Sequence, residues 1–367
     1  MFRAVLCGNF VCANLDGLLF ERRILRRKYL TATPVIQILS PVVRILSPAT
    51  FTLFVYNNNT LFVYKKTTPT MIFSAFDVQK LGLDLVGCDA TRFNEDTTIK
   101  HFTAEYGSYP VTLATLFSEM VKRGIVWGNE NSIEGMKSFL IANHFLFHYP
   151  KNSYVLAHHF CLAENKCRGK PVWDWIEKIS QMMQFKICWD PDIDDPDKAK
   201  FAVSVDGVDF RVWEPKHPTL SQDKSYYSEK FNHSAVKYEI ALSVFNQKCV
   251  WISSQHKGAV HDLTIFKEPG GLADKIPEDK LAVVDRGYKD PTNSSVSLPN
   301  TTDPPELNSF KTRARLRHET FNGRLKKFRI LDATFEHTPL GKQEIALQAV
   351  ATLVQHQIDQ GWPLYDV

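Results

Sequence analysis

The feature that most constrains the fold is a change in the spacing of apolar residues at the acidic stretch DPDIDDPDKAK, residues 190–200. Before it, from about residue 72, apolar residues recur every three or four positions, which predicts helices. After it, short strand-like runs alternate with turns and polar segments. Two prolines and five acids in eleven residues cannot build a core, so we expect a boundary here between a helical part and an α/β part.

The α/β part is predicted to contain three strands, a helix, a fourth strand, a polar loop and a long basic helix. Its first strand, FAVSVDGVDFRVW, has a kink at Gly207. The other predicted strands are KYEIALSVF, CVWISS and KLAVVDRGY, and the helices are GAVHDLTIF, with its start at the His-Asp pair, and TRARLRHETFNGRLKKFRIL. Residues 336–367 are predicted to form a C-terminal helix that packs on this domain, with Trp362 and Tyr365 as core anchors.

The helical part, residues 72–190, contains a candidate DNA-binding element. Residues 152–183 are predicted to form two helices with a polar break around Glu164–Gly169. A helix, a tight turn and a second helix could hold Arg168 and Lys170 near a phosphate backbone. Plain helix packing explains the same pattern.

The first 71 residues form an extension to which we assign no function. FTLFVYNNNTLFVYKK, residues 51–66, predicts a strand, an asparagine turn and a second strand. No apolar run approaches the ~20 residues needed to cross a bilayer. A signal peptide is not favoured, because acidic residues and an arginine cluster follow the apolar start.

The cysteines indicate reduced thiols. There are seven, an odd number, and they are widely scattered. A zinc site through His158, Cys161 and Cys167 is not favoured, because a compact site of that kind needs a second cysteine pair.

Positive charge is concentrated near the end of the chain. Residues 311–329 contain eight lysines or arginines and one acid, Glu319, while the whole chain has a formal net charge of only +4. A basic segment of this kind indicates a polyanionic partner such as nucleic acid. A solvated basic helix is the alternative. KSYYSEKFNH, residues 224–233, could line a DNA groove or could simply connect two strands.

Four acids stand at the ends of the predicted elements. Asp206 is expected to end the first strand, Asp262 to open the helix after the third strand, and Asp285 to end the fourth strand. Glu319 is the acid of the basic helix. Each has an ordinary explanation: a turn for the strand-end aspartates, a helix cap for Asp262, and a surface ion pair with Arg315 for Glu319. Carboxylates at the ends of adjacent strands, however, meet at one edge of a sheet and suit hard cations.

The segments VDGVDF, KYEIALSV, GAVHDLTIF, VVDRGY and RLRHETFNGRLKKF resemble the catalytic blocks of DDE transposases, closest to the Harbinger branch and its bacterial insertion-sequence relatives. The resemblance spans about residues 201–335. It implies an RNase H-like α/β domain, a mixed sheet flanked by helices, that cuts and joins DNA with divalent Mg²⁺ or Mn²⁺. By this resemblance, Asp206, Asp285 and Glu319 are catalytic metal ligands and Asp262 is an additional one.

The last of these segments carries the most specific spacing. Arg315, Glu319 and Lys326 resemble the signature of the bacterial insertion-sequence transposases, in which the arginine precedes the glutamate by four residues and the lysine follows it by seven. All three lie on one face of a helix. Thr312 stands where the signature has a tyrosine, which leaves the metal ligands intact. Arg315 and Lys326 are expected to bind DNA phosphates, and the further phosphate contacts expected are those of Arg313, Lys327 and Arg329.

The resemblance implies a metal-dependent DNA endonuclease or transposase, with strand joining as a hypothesis. A catalytically silent, domesticated DNA-binding protein is the alternative, and an α/β phosphatase is least favoured because Glu319 has no role in it. The implied partners are DNA, a separate Myb-like DNA-binding protein and further copies of the chain in the active state. The implied location is the nucleus, and nothing predicts a membrane partner.

Overall fold

The computed structural model of the protein describes strands within the first 66 residues and, beyond them, residues 72–150, 153–163, 169–213, 224–289, 295–300, 302–337 and 339–367. The described chain divides into two units. One contains the N-terminal strands and residues 117–133, and the other contains residues 73–116 and 134–367.

The N-terminal strands form an antiparallel sheet in the order β1-β2-β5-β4-β3. The two predicted strands of residues 51–66 are confirmed, since β4 and β5 pair antiparallel. Residues 58–59, in the predicted asparagine turn, lie outside the described residues. The strands are β1 Ala4–Cys7, β2 Phe10–Asn14, β3 Val42–Ser47, β4 Thr50–Asn57 and β5 Thr60–Lys66.

The segment from residue 73 to the acidic stretch is helical, as predicted. Local sequence sets the helix ends: Ser74 and Asp77 form a capping box at the start of the first helix, and Asn94 caps the second. Gly107, with φ of 68°, ends the second helix in the left-handed region that glycine adopts readily. The helices are α1 Ala75–Leu85, α2 Glu95–Tyr106, α3 Pro110–Lys122, α4 Ile133–His148, α5 Ser153–His159, α6 Lys170–Gln181, α7 Met183–Lys186 and α8 Pro191–Asp194.

The remainder of the chain is an α/β domain built on a mixed sheet. Its strands are β6 Phe201–Arg211, β7 Tyr227–Ser228, β8 His233–Ser243, β9 Cys249–Ile252, β10 His256–Lys257, β11 Leu281–Val283 and β12 Val296–Ser297. Its helices are α9 Asp262–Phe266, α10 Pro305–Lys326, α11 Arg329–Asp332 and α12 Gly341–Asp359. None of the described helices combines the length and the apolar character that a membrane crossing requires.

The strand order is β10-β8-β6-β11-β12, with β7 and β9 also paired to β8. Strand β8 is antiparallel to both β6 and β9, whereas β11 is parallel to both β6 and β12. A parallel pair needs a crossover connection, and α9 lies in the segment between β9 and β11. The predicted α/β domain, a mixed sheet with flanking helices after a helical region, is therefore confirmed.

The acidic stretch contributes more to this domain than its composition indicates. Ile193, in α8, is fully buried in the same apolar cluster as Val203, Phe266 and Val284. Asp190 is also buried, and its carboxylate accepts hydrogen bonds from Ser243 and Asn246. The expectation that residues 190–200 cannot take part in a core is wrong at these two positions, because one isoleucine and one fully paired aspartate suffice to attach the segment.

Helix α10 is held to the sheet by buried polar side chains. The guanidinium of Arg317 donates to the backbone oxygens of Ser243 and Asn246, at the turn that follows β8. A ring nitrogen of His318 lies 2.5 Å from the backbone oxygen of Ser204, in β6. Lys311 donates to the oxygen of Leu298 and pairs with a nearby aspartate. Because buried polar groups are costly unless they are paired, these bonds fix the position of the helix.

The C-terminal helix reaches both the helical part and the sheet. Helix α12 packs along α6, and its Gln355 accepts a hydrogen bond from the backbone N–H of Cys249 at the start of β9. After α12, Leu364 is buried, whereas Tyr365 is 41% exposed. Trp362 is half-buried and stacks on Tyr109, with ring centroids 4.2 Å apart. The prediction that Tyr365 anchors the core is therefore wrong, and Leu364 takes that place.

We predict that Arg317→Met lowers the free energy of unfolding by about 2–4 kcal/mol, because it removes the side-chain donor to the backbone oxygens of the buried Ser243 and the half-buried Asn246. Arg313→Met, on the exposed side of the same helix, is the matched control and should change stability by less than about 0.5 kcal/mol. Urea denaturation followed by circular dichroism measures both. Equal effects in the two variants would contradict the anchoring role of Arg317.

Candidate active site

Two of the predicted acids lie side by side on neighbouring strands. Strand β11 runs parallel to β6 with Val283 opposite Ser204. Two residues beyond this pair, in the direction of both strands, the register places Asp285 beside Asp206. Asp285 follows the end of β11, as predicted, but Asp206 lies in the middle of β6, because pairing with β8 continues through Gly207 to Arg211.

The environment of Asp206 favours a bound cation. Burial, the negative charge of Asp285 and, to a smaller extent, that of Asp262 raise the pKa of the Asp206 carboxyl to about 6. The positive charges of Lys230 and Arg315 oppose this increase. A carboxylate that is costly to ionise because of burial and like charge is stabilised by any cation placed against it.

Asp262 packs against two glycines that allow it to approach the other acids. A Cβ atom at position 207 would lie 2.7 Å from Oδ1 of Asp262, and one at position 287 would lie 3.0 Å from Oδ2. The Cβ atom added at position 287 would also lie 3.0 Å from Oδ1 of Asp285, so Asp262 and Asp285 are close neighbours. Asp262 is not the cap of α9, since His261 accepts the capping N–H.

One oxygen of Asp262 is already paired with a cation of the protein. The ammonium of Lys237 lies 2.9 Å from Oδ1 of Asp262 and 3.9 Å from Oδ1 of the buried Asp209. It also donates to the backbone oxygen of Val260. This lysine therefore holds the Asp262 carboxylate in place.

Helix α10 approaches Asp206 through Asn322, whose Nδ2 donates to Oδ2 of Asp206 at 3.0 Å. Glu319 lies three residues earlier on the same helix and is exposed. The ordinary explanation, a surface ion pair between Glu319 and Arg315, is not found among the described residues. Instead, the positive charge of Arg315, one turn before Glu319, lowers the pKa of Asp206. The helix face that carries Arg315 and Glu319 therefore lies along β6, near the aspartates.

The four predicted ligands do not form a tight cluster. Among the described residues, no three of these carboxylates have oxygens that all lie within 4.8 Å of one another. Repulsion between like charges keeps carboxylates apart unless a cation lies between them. The structure thus brings Asp206, Asp262 and Asp285 together as neighbours and places Glu319 on the adjoining helix without a direct contact.

Three residues near the acids were missed by the sequence analysis. Lys237 and Glu239 lie within KYEIALSV, and Asn322 follows Glu319 by three residues. Glu239 is fully buried opposite Gly207. Burial, with smaller effects from the charges of Asp262 and another acid, raises the pKa of Glu239 to about 8. The signal that could have identified Lys237 and Glu239 is a pair of charged residues two positions apart on an otherwise apolar strand.

The basic residues predicted to contact DNA lie mostly on the exposed side of α10 and just after it. Lys326 is half-buried, and burial and the nearby charge of Lys230 lower the pKa of its ammonium. Its ammonium lies 5.8 Å from the ring centre of Phe231. Lys170, at the start of α6, is exposed and paired with Asp174. The exposed basic residues of the α10 region are Arg313, Arg315, Lys327 and Arg329, and Arg168 lies outside the described residues.

The strand order and the acids at its centre define an RNase H-like domain. Residues 205–355 match the family of DDE superfamily endonucleases. This segment of the chain is therefore a DDE superfamily endonuclease domain, and the predicted resemblance is confirmed at that level, while the Harbinger branch stays a prediction. Neither curated proteins nor solved structures provided a match. Members of the family act on DNA and normally use a divalent metal, so this domain is in general terms that of a transposase-like nuclease.

We predict that Gly207→Ala lowers the free energy of unfolding by about 1–3 kcal/mol, since the added Cβ must displace Asp262 from its pairing with Lys237. Gly323→Ala, on α10, is the matched control, because a Cβ at that position meets no atom within 4 Å. Alanine there should raise stability by about 0.5–1 kcal/mol, as expected for a helical position. Similar changes in the two variants, measured by urea denaturation, would contradict the close approach of Asp262.

We also predict a pH-dependent loss of stability that depends on His318. Burial lowers the pKa of this imidazole to about 4, whereas in the unfolded chain it is about 6.5. The unfolded chain therefore takes up the proton first as the pH falls. The stability contributed by the neutral His318 is complete above pH ~6.5. As the pH falls from ~6.5 to ~4, the free energy of unfolding decreases by about 3 kcal/mol.

The measurement compares denaturation curves of the wild type and of His318→Gln across this range. The difference between them should shrink as the pH falls, because glutamine does not titrate. A difference that is the same at pH 7 and pH 4.5 would show that His318 is not buried in its neutral form.

Proposed function

We propose that this protein is a metal-dependent DNA endonuclease or transposase that cuts phosphodiester bonds by a two-metal mechanism. The observation that carries this proposal is the pair of neighbouring aspartates, Asp206 and Asp285, in which burial and like charge raise the pKa of Asp206 to about 6. Such a pair needs a cation to be stable in its ionised form. It lies beside a basic helix, as a nuclease site requires.

The acids fit divalent metal ions by their chemistry. Asp206, Asp285 and Glu319 would hold the ions, and Asp262 would orient the others or serve as a further ligand. Carboxylate oxygens select Mg²⁺ or Mn²⁺ over softer metals. When bound, such ions activate water and neutralise the charge that develops on the attacking and leaving oxygens of the phosphodiester.

The remaining side chains prepare and surround the site. Asn322 donates to Asp206 and so fixes which oxygen faces the site. Lys237 holds Asp262 through an ion pair. Arg315, Lys230 and Lys326, whose charges all act in the neighbourhood of Asp206, would bind DNA phosphates on both sides of the scissile bond, which makes affinity fall as salt rises.

Several finer assignments belong to the proposal. We assign the chain to the Harbinger branch on the His-Asp pair that contains Asp262, while the spacing of Arg315, Glu319 and Lys326 is that of its bacterial insertion-sequence relatives. A Myb-like partner comes with the Harbinger branch, and oligomers in the active state and a nuclear location come with the proposed activity. Strand joining after cleavage is a further hypothesis. The competing function is a domesticated DNA-binding protein without catalysis, which would leave the unpaired Glu319 without a role.

The test is nicking of supercoiled plasmid with Mg²⁺ or Mn²⁺ by the full chain. Asp206→Asn and Glu319→Gln should each reduce the rate by at least about 100-fold, since each removes a metal ligand. Asp262→Asn should reduce it by about 10–100-fold, the range typical of residues that orient ligands. DNA binding measured without metal should stay within about twofold of the wild type for all three variants.

Glu306→Gln is the matched control, since this glutamate is exposed in the first turn of the same helix. A wild-type rate in Glu319→Gln would remove Glu319 from the metal ligands. If the wild type binds DNA but never nicks it with either metal, the silent DNA-binding function replaces the nuclease. Nicked product without joined product would remove strand joining alone.

A further inference from the structure

A second group of potential metal ligands lies in the helical part of the chain, formed by Glu105, His144, His148 and His159. We call it the histidine cluster. Glu105 is in the last turn of α2, His144 and His148 are one turn apart on α4, and His159 is the last residue of α5. All four belong to the same structural unit. The neighbouring His158, which belonged to the disfavoured zinc site with Cys161 and Cys167, is exposed.

Three imidazole nitrogens converge on a single carboxylate oxygen. Nε2 of His159 lies 3.1 Å from Oε2 of Glu105, and Nδ1 of His144 lies 3.3 Å from the same atom. Nε2 of His148 is 4.0 Å from it. The ligand atoms of Glu105, His144 and His159 all lie within 4.8 Å of one another. Two ligands of a tetrahedral zinc ion are separated by about 3.3–3.5 Å, which follows from bond lengths of about 2.0–2.2 Å.

Hydrogen bonding alone does not account for this arrangement. His144 is only 5% exposed, and its Nδ1 and the Nε2 of His159 both lie within hydrogen-bond distance of Oε2 of Glu105. Nε2 of His148 lies 4.0 Å from the same oxygen, which is too far for a hydrogen bond, and it is buried without a hydrogen-bond partner among the described residues. A cation between these groups would give that nitrogen a partner.

The three rings also lie close together. The ring centre of His144 is 4.3 Å from that of His148 and 4.8 Å from that of His159. Rings gathered around one point in this way can bind a single metal ion through their ring nitrogens, since imidazole is a common metal ligand.

We propose that the histidine cluster binds one Zn²⁺ ion with a structural role. Glu105, His144 and His159 are the first three ligands. His148 is the fourth, because histidines four residues apart on a helix face the same metal. The site connects α2, α4 and α5, three helices that no disulfide links among the described residues. Imidazole nitrogens with one carboxylate suit zinc, whereas the all-carboxylate set around Asp206 suits Mg²⁺ or Mn²⁺.

The test measures zinc in the purified full chain by elemental analysis, after dialysis against metal-free buffer. The wild type should retain about one zinc per chain, and His144→Gln and Glu105→Gln should retain less than a tenth of that. His158→Gln is the matched control, since it removes the adjacent exposed imidazole, and it should retain the wild-type amount. Asp206→Asn should also retain it, which separates this site from the acidic one.

A second measurement covers the case in which a variant fails to fold. Co²⁺ added to the wild-type chain, after removal of zinc, should produce the intense visible absorption of a tetrahedral centre, and Zn²⁺ should displace it. His159→Gln, at a half-exposed position, should weaken Co²⁺ binding at least tenfold while circular dichroism stays unchanged. Equal zinc contents in the wild type and His144→Gln, or Co²⁺ binding unaffected by His159→Gln, would overturn the proposal. These results do not depend on nuclease activity.

Discussion

The arrangement of the catalytic domain depends on the attachment of α10 to the sheet by Arg317 and His318. These two consecutive residues bond to backbone oxygens at two places, the turn after β8 and the strand β6. Together they fix both the position and the rotation of the helix. Because a helix turns by about 100° per residue, a different rotation would carry Asn322 and Glu319 away from Asp206. Arg317 and His318 thus set the geometry of the site. This requires the guanidinium of Arg317 to be buried, and burial lowers its pKa to about 10. The guanidinium therefore stays charged at neutral pH.

Most of the domain architecture could be predicted from the sequence because its signals are local. Apolar alternation predicted β6 and β8, and the polar turn NQK predicted the hairpin to β9. The positions of Asp262 and Asp285 at the start of α9 and the end of β11 followed from the same patterns. The sequence predicts Asp206 at the end of a strand, next to a kink at Gly207. In the structure the glycine stays in the strand, since its missing side chain makes room for Asp262.

The features that the sequence did not predict all involve contacts between distant segments. Lys237 pairs with Asp262, and Asn322 bonds to Asp206 over a separation of 116 residues. The histidine cluster joins three helices whose ligands are up to 54 residues apart. The spacing of residues within a short stretch of sequence does not predict contacts between such distant positions. Ile193 was missed for a related reason, since a single apolar residue in an acidic stretch gives no pattern, although it packs with Val203 and Phe266 in the core.

The parallel pairing of β6 with β11 has a consequence for the order of folding. Antiparallel β6 and β8 can form as soon as they are synthesised, but β11 must insert beside β6 after the hairpin and α9 are complete, and contacts of this kind form slowly. Helix α10 follows later still in the chain. A nascent or partly folded chain therefore holds its aspartates on separate segments. The topology brings Asp206 and Asp285 together only when the domain is essentially complete.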